Sequence, residues 1–312
     1  MVLVQPTKVH SHRLRGALLV LLAAALWGTL GTLYTWGNRN FGLTPLTLVF
    51  WRASLAALSL VVVLAGAVPA LGRGTGLLKV KRTDLPLFVL FGLLGVTAFY
   101  LLYIYAVLLV GVAVAVVLLY TAPVFVAALA WRFLGEGFGT RKMVALALTF
   151  VGCALVARAY NPTLLQVNTL GVACGLGSAL TYALYSILGK VSLGRGYAIA
   201  TMSLYVYGIG AIGLLVVALF AGPSQLFAMG ADPAAWSLLL LIALAQTVGA
   251  LWAYTAGLRY LEAGAASILA TFEPVVAAVL AYFVLHESIE WPQAAGGVLI
   301  LAAVLLLQAR RE

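Results

Sequence analysis

The chain has 312 residues, of which 64% are hydrophobic and only 8% are charged. Soluble domains carry about 45–50% apolar and about 25% charged residues, so this composition cannot cover a surface that faces water. It excludes a soluble enzyme, a nucleic-acid-binding protein and a disordered chain, and it predicts a protein embedded in a lipid bilayer. The net charge of +10 is therefore expected to set the orientation in the membrane rather than to bind nucleic acid.

Ten apolar runs approach the length of about 20 mostly apolar residues that a helix needs to cross a bilayer. Gly111 is expected to form the joint between the third and the fourth run. The runs are too long for barrel strands and do not alternate in polarity, so the predicted fold is an all-α membrane protein with ten transmembrane helices. The predicted spans are Gly16–Trp36, Leu46–Gly66, Leu85–Leu109, Val112–Leu134, Met143–Ala157, Leu170–Leu188, Ile199–Phe220, Ala235–Ala256, Ala263–Leu285 and Trp291–Leu307.

The basic residues predict the orientation, because cytoplasmic loops collect Lys and Arg. With the N-terminus inside, the ten-span scheme leaves 15 of the 18 basic residues on the inner side. Only Arg39, Arg52 and Arg158 fall on the outer side. A wrong number of spans would have mixed the two groups. We therefore expect a multi-pass protein of the bacterial inner membrane with both termini in the cytoplasm, and a cytoplasmic tail at residues 1–15.

The chain repeats itself after 151 residues. The segment PVFVAALAWRFLGE (Pro123–Glu136) matches PVVAAVLAYFVLHE (Pro274–Glu287) at seven of fourteen positions, including the first proline and the last glutamate. The match relates the fourth span to the ninth, and an odd shift of five spans means that the two copies cross the membrane in opposite directions. The sequence thus predicts two inverted five-helix repeats, residues 16–159 and 160–312. Inverted repeats are typical of secondary transporters, with the substrate site between the halves.

The motifs resemble those of a known family. Ala24, Trp27 and Gly28 form an AxxWG-type start, and PVF…LGE and EPV…LHE segments are paired in the two halves. Together with ten spans, they resemble the EamA family of the drug/metabolite transporter superfamily over nearly the whole chain. Among its members, the chain is similar to bacterial aromatic amino-acid exporters of the YddG type. The resemblance implies a proton-linked or facilitated exporter of metabolites, often amino acids. His286 departs from the pattern, since many members carry glycine there.

Glu273 and its neighbours are candidates for coupling or gating. An intramembrane carboxylate is costly unless it is neutral or paired, which makes Glu273, in the middle of the ninth span, a candidate proton carrier. Pro274 follows it and frees the carbonyl of Ala270, so a protonated Glu273 that bonds this backbone and only shapes the helix is an equally good interpretation. Pro123 is the equivalent proline of the first half.

Arg52 is the second ionisable side chain that falls inside a predicted span. It lies roughly 9–12 Å inside the outer end of the second span, at a rise of about 1.5 Å per residue. Three interpretations are open: a pair with Glu273, a contact with a substrate carboxylate, or extension of the side chain to the outer headgroups. The sequence favours the last of these.

Seven aromatic side chains lie in predicted spans, where phenol groups need partners. Tyr182 and Tyr185 share one helical face, as do Tyr100 and Tyr103. Each tyrosine alone is better explained by packing between helices, but the set predicts the wall of a cavity for flat or partly apolar amphiphiles, with cation–π contact to an ammonium group. The set is Trp27, Tyr100, Tyr103, Tyr120, Tyr182, Tyr185 and Trp252.

The expected function is a secondary transporter that exports small amphiphilic metabolites, including aromatic amino acids, by alternating access around this cavity. The alternative is a multidrug or nucleotide-sugar carrier of the same superfamily. A membrane-embedded enzyme or receptor is disfavoured, because deep polar residues are few. The sequence contains no GxxxxGK[ST] phosphate loop, and no cofactor or metal is expected. The expected partners are a small-molecule substrate, protons and the lipid bilayer, without nucleic acid, and a monomer is compatible with the sequence.

Overall fold

The structure is a computed structural model that describes residues 6–70, 79–162, 168–285 and 288–308. All regular elements in these ranges are helical. Seven helical stretches within them are long and apolar enough to cross a membrane, and Ala122–Leu134 and Trp291–Leu307 are shorter apolar helices. The prediction of an all-α membrane protein is confirmed at this level. Residues 1–5 of the expected tail, His286 and the last glutamate of the repeat, Glu287, lie outside the described residues.

Fourteen α-helices are numbered here in chain order. They are α1 (Pro6–Gly28), α2 (Leu30–Phe41), α3 (Pro45–Ala70), α4 (Leu85–Gly92), α5 (Phe99–Leu119), α6 (Ala122–Leu134), α7 (Thr140–Val156), α8 (Thr169–Gly194), α9 (Ile199–Ala221), α10 (Pro233–Leu241), α11 (Ala250–Gly257), α12 (Ala263–Ala270), α13 (Glu273–Leu285) and α14 (Trp291–Gln308). Two π-helical segments, Leu93–Ala98 and Ile242–Gly249, join α4 to α5 and α10 to α11. Short 3₁₀ turns lie at Arg82–Asp84 and Pro223–Phe227.

Several predicted spans are interrupted rather than straight. The first is divided at Thr29, where α1 ends and α2 begins. Within α5, Gly111 has a φ of 77° and a ψ of 163°, a conformation that glycine adopts without the steric cost of a Cβ atom. The backbone therefore leaves helical geometry at the residue where the sequence predicted the joint between the third and fourth spans.

Helices far apart in the sequence pack against each other. The pairs include α1 with α11, α3 with α9, α5 with α8, α6 with α12, and α7 with α14. The last pair meets at two glycines, because a Cβ atom at Gly152 would lie 2.8 Å from the carbonyl oxygen of Gly296, and one at Gly296 would lie 2.5 Å from that of Gly152. Small residues thus let two helix backbones touch, as is usual in membrane bundles.

Large apolar side chains cover the outside of the bundle. Leu108, Phe220, Phe283 and Leu305 are each more exposed than buried. A helix bundle that is hydrophobic on its outer surface as well as in its core is stable in lipid and not in water. The interior is filled mainly by alanine and medium-sized aliphatic side chains.

Candidate functional site

A cavity of about 30 Å³ lies where two helix interruptions meet. The helix breaks at residues 120–121, before α6, and again at residues 271–272, before α13. Each following helix has a proline as its second residue, Pro123 in α6 and Pro274 in α13. Proline suits this position because its missing N–H would have no helical partner there. The two broken segments that the repeat relates are thus brought together by the fold.

The cavity is lined mostly by small and apolar groups. The lining residues are Leu119, Tyr120, Ala122, Pro123, Tyr182, Ser267, Ala270, Thr271 and Glu273. A volume of about 30 Å³ has room for a water molecule or two and no more. In the conformation described, the cavity is therefore too small for a metabolite.

Glu273 contributes the carboxyl group of this cavity. It forms no hydrogen bond or ion pair within the described part of the chain, so the interpretation in which it bonds the freed carbonyl of Ala270 finds no support. The carboxyl lies within electrostatic range of Arg52 and of the phenol groups of Tyr103 and Tyr120. A carboxyl group that faces a cavity inside the bundle without a fixed partner remains a candidate proton carrier.

Arg52 points into the bundle. Its side chain is buried, Nε donates a hydrogen bond to Thr247 Oγ1 at 3.1 Å, and its guanidinium carbon lies 4.9 Å from the centre of the Tyr100 ring. Extension to the outer headgroups, which the sequence favoured, is therefore wrong, because the π-helical segment supplies a hydroxyl and α5 supplies an aromatic face. Arg52 forms no salt bridge with any described residue, which leaves a buried cation near Glu273.

Several of the predicted aromatic residues form one cluster beside the cavity. The Trp27 ring centre lies 6.5 Å from that of Tyr182 and 5.5 Å from that of Tyr254. Phe99 lies 6.1 Å from Tyr182 and stacks on Tyr103 at 6.4 Å. These are ordinary distances for attractive aromatic pairs. The cluster therefore connects α1, α5, α8 and α11 at one level of the bundle.

Two predicted aromatic residues lie elsewhere. Tyr185 is buried against Phe91, with ring centres 5.0 Å apart, and its hydroxyl has no hydrogen-bond partner among the described residues. Trp252 is 52% exposed and lines a separate pocket with Arg15 and Arg259. The structure does not bring Trp252 to the cavity, because it lies on the opposite face of α11 from Tyr254.

The sequence analysis missed Tyr254, which is fully buried in the aromatic cluster. Its hydroxyl lies 2.9 Å from Ser186 Oγ, so the phenol is satisfied within the protein. A shift of 151 residues aligns Tyr254 with Tyr103, and the repeat was thus the signal that pointed to it. Also missed was the pairing of Gln246 with the hydroxyl of Thr29 at 2.9 Å, which joins the π-helical segment to the break between α1 and α2.

A second polar cluster joins the end of α6 to the start of α12. Glu136 accepts hydrogen bonds from the backbone N–H groups of Ala263 at 2.6 Å and Gly264 at 3.1 Å, and from Lys190 Nζ at 3.0 Å. A carboxylate at the N-terminus of a helix is favoured by the unpaired N–H groups and by the helix dipole. Lys142 Nζ lies 3.7 Å from the same carboxylate.

The Glu136 cluster contains two carboxylates, of Glu136 and Glu262, and two ammonium groups, of Lys142 and Lys190, so that its charges cancel. Lys142 also donates to Glu262 at 3.0 Å, and Lys190 donates to the carbonyl of Leu261 at 2.7 Å. Burial raises the pKa of the Glu136 carboxyl, but the two backbone amides and Lys190 lower it by more, so the pKa lies below its usual value. Glu136 is therefore ionised at neutral pH, and the cluster loses this charge only when the pH falls through the lowered pKa.

Comparison with known proteins identifies the family. Residues 14–158 and 169–308 match the sequence model of the EamA-like transporter family. An uncharacterized transporter of Archaeoglobus fulgidus is 30% identical over 293 residues, which cover 93% of this chain and 95% of that protein. A probable terminal-alkyne amino-acid exporter of Streptantibioticus cattleyicolor is 27% identical over 93% of this chain and 95% of its own length.

Further relatives support the same family assignment. The uncharacterized transporter YvbV of Bacillus subtilis is 26% identical, with 96% of this chain and 93% of that protein covered. A solved crystal structure superposes with a TM-score of 0.77 over 93% of this chain and 95% of its own, at 15% identity, which shows a shared fold. The family, its bacterial and archaeal members, and the apolar helix bundle lead to one conclusion. The chain belongs to the EamA-like transporter family, as its motifs predicted, and is a multi-pass membrane transporter rather than an enzyme.

Proposed function

We propose that the protein is a secondary transporter that exports small amphiphilic metabolites, chiefly amino acids including aromatic ones. It works by alternating access between two inverted five-helix units, residues 16–159 and 160–312, with both termini in the cytoplasm. The observation that carries this proposal is the position of the cavity. It lies between two broken, proline-started helices, one from each unit, and it holds the unpaired Glu273 carboxyl. Broken helices around a midplane site are typical of secondary transporters.

The irregular features of the two units recur at the same shift of 151 residues, which supports their structural equivalence. The break at residues 120–121 corresponds to the break at 271–272. The π-helical segments end at Ala98 and at Gly249, and α7 begins at Thr140 where α14 begins at Trp291. The match between Pro123–Glu136 and Pro274–Glu287 does not reach the π-helical segments or the last helix of each unit, so these features extend it independently.

The helix pairs also support two inverted units. Exchanging the two units turns each helix into its counterpart in the other unit, so that the α1–α11 pair corresponds to the α8–α5 pair. Both pairs pack against each other in the structure. The pairs α3–α9 and α7–α14 map onto themselves. Packing with this symmetry allows each unit to adopt the arrangement of the other. The inward-open and outward-open states are then similar in free energy, as alternating access requires.

The charges around the cavity match an amino-acid substrate. A guanidinium group binds a carboxylate well, and Arg52 is a buried cation with no carboxylate partner among the described residues. An ammonium group is attracted to aromatic faces, which Tyr182 and Trp27 supply. The printed name of the Streptantibioticus relative, a probable exporter of an amino acid, agrees with this chemistry.

The other carriers of the superfamily fit less well. A nucleotide sugar carries two phosphate groups and needs several cations, whereas Arg52 is the one cation identified beside the cavity within the described ranges. A multidrug carrier of apolar compounds gains little from buried charges, whereas this cavity holds the carboxyl group of Glu273 and lies near the buried Arg52. Amino acids therefore remain the substrate class that the polar groups favour.

Closure on the cytoplasmic side is assigned in this proposal to the Glu136 cluster. It joins α6 of the first unit to α12 of the second, and the cavity lies between the same two helices. Opening toward the cytoplasm must separate these helices and so break the hydrogen bonds of Glu136. The cluster thus stabilises the state in which the inner path is closed.

The first prediction concerns coupling. Glu273→Gln should abolish transport driven by a proton gradient in proteoliposomes while leaving counterflow exchange of amino acids, because an amide cannot take up and release a proton. Glu290→Gln is the matched control, since Glu290 pairs with Arg158 away from the cavity, and it should transport like the unaltered protein. Undiminished gradient-driven uptake by Glu273→Gln would remove Glu273 from the coupling mechanism.

The second prediction concerns the aromatic wall. Tyr182→Ala should weaken transport of phenylalanine relative to leucine by about three- to tenfold in kcat/KM, as expected from the loss of one aromatic contact. Tyr282→Ala removes a half-exposed tyrosine outside the cavity and should leave the ratio unchanged. An equal loss for both substrates in Tyr182→Ala would indicate a folding defect and contradict a role in substrate choice.

The third prediction concerns the Glu136 cluster. In a chain without its natural cysteines (Cys153→Ala, Cys174→Ala), Ser267→Cys places a thiol in the cavity wall. When Glu136→Gln is added, a maleimide should label the Ser267→Cys thiol from the cytoplasmic side about tenfold faster. The reason is that charge-assisted hydrogen bonds that hold the inner path closed are lost. Lys190→Gln should act in the same direction. Labelling unchanged by both substitutions, in protein that elutes as a single species, would refute a gating role.

A further inference from the structure

A second pocket, of about 280 Å³, lies between the start of α1, the end of α11 and the start of α9. It is lined by Arg15, Leu19, Trp252, Arg259, Tyr260 and residues 198–200. The pocket is separate from the Glu273 cavity, and the mechanism proposed above does not use it. In the predicted orientation it opens at the cytoplasmic surface of the membrane.

The polar groups of this pocket are all suited to an anion. Arg15 and Arg259 form no salt bridge with a residue in the described ranges, and no carboxylate appears in the lining. The nearby Glu262 is paired with Lys142 instead. At the third wall, Ala198 precedes the first turn of α9 and offers no side chain to cap its N–H groups. A helix N-terminus together with two arginines is an effective site for a phosphate group.

The apolar groups beside the pocket are suited to acyl chains. Arg15, Leu18, Leu19 and Leu22 have the spacing of one helical face. Leu18 is 58% exposed and Leu22 is 50% exposed, so an apolar strip extends from the arginine along the outside of the bundle. Trp252, at 52% exposure, continues this surface on α11. Tryptophan beside a basic residue is typical of the headgroup level of a membrane.

We propose that this pocket binds the phosphate of an anionic phospholipid from the inner leaflet, for which phosphatidylglycerol is a suitable probe. Basic pockets between transmembrane helices on the cytoplasmic side bind such headgroups. Arg15 is positioned by its contact with Tyr260, whose ring centre lies 5.5 Å from the guanidinium carbon. The lipid tails follow Leu18 and Leu22, which distinguishes this ligand from a soluble phosphate.

A lipid bound here would contact both halves of the protein where α1 and α11 pack closely. A Cβ atom at Gly257 of α11 would lie 3.0 Å from the carbonyl oxygen of Gly16 of α1. Arg15 directly precedes Gly16, and Arg259 follows Gly257 by two residues. The headgroup therefore joins α1 to α11 and stabilises the bundle at this junction.

The test compares lipid binding by the detergent-purified full chain and by the double variant Arg15→Gln, Arg259→Gln. Native mass spectrometry with added phosphatidylglycerol should show one tightly bound lipid on the unaltered protein. The double variant should bind it roughly thirtyfold more weakly, with one contribution from each arginine. The unfolding temperature of the unaltered protein should rise when the lipid is added, and that of the double variant should not.

The matched control is Arg13→Gln, Arg132→Gln, which removes the same charge from arginines outside the pocket lining and should bind the lipid normally. Arg15→Lys, Arg259→Lys retains the charge and should keep most of the affinity, so a loss of folding in the glutamine variant is distinguished from a loss of the site. Equal binding by the unaltered protein and the glutamine variant would overturn the proposal.

Two further arms identify the ligand. Phosphatidylcholine, which carries a phosphate but no net charge, should bind distinctly more weakly than phosphatidylglycerol. Inorganic phosphate at the same concentration should not raise the unfolding temperature. Binding of phosphatidylcholine as tight as that of phosphatidylglycerol would contradict the requirement for an anionic lipid. Stabilisation by inorganic phosphate alone, equal to that by phosphatidylglycerol, would show that the pocket takes a free anion and not a lipid.

Discussion

In the hydrocarbon interior of a membrane, every backbone N–H and C=O group must find its partner within the protein, and this constraint decides where the helices of this chain can break. Two of the breaks adjoin the Glu273 cavity, and hydroxyl groups of the chain satisfy freed carbonyls beside them. Thr121 donates to the carbonyl of Leu118 at 2.6 Å, and Thr271 donates to that of Ile268. Thr29 donates to Leu26 at the break in the first span. At these three breaks, a threonine hydroxyl beside the break thus satisfies a freed carbonyl group.

The same scarcity of water makes each buried charge consequential. Glu136 accepts three hydrogen bonds, forms an ion pair with Lys142 and joins α6 to α12. By contrast, Glu273 and Arg52 have no partner of opposite charge in direct contact within the described ranges. One carboxylate is therefore fully satisfied, and the other is left available. In the proposed mechanism, the satisfied network holds the inner path closed, Glu273 carries the proton, and Arg52 binds the substrate carboxylate.

Much of the fold and part of the site were predictable from the sequence. Hydropathy predicted the apolar helices, because a helix that crosses the membrane must have a minimum length and mostly apolar side chains. The repeat predicted that Pro123 and Pro274 occupy equivalent positions.

The π-helical segments were not predictable, since they depend on packing against other helices and have no periodicity of their own. The direction of Arg52 depended on Thr247, nearly 200 residues away in the sequence. Glu136 was noted only as a repeat marker, because nothing local indicates that the start of α12 would be its partner. Trp252 was grouped with the cavity residues by composition, and only the rotation of α11 separates it from Tyr254.

The central claim is that two antiparallel units enclose one cavity, and cysteine labelling in intact cells tests it most directly. Gly137 and Ser288 are exposed, follow α6 and α13, and are aligned by the shift of 151 residues. In a chain without its natural cysteines, a membrane-impermeant maleimide should label Ser288→Cys in intact cells and Gly137→Cys only after the membrane is opened. Labelling of both positions from the same side would show that the two units are parallel, and the proposed mechanism would then be wrong.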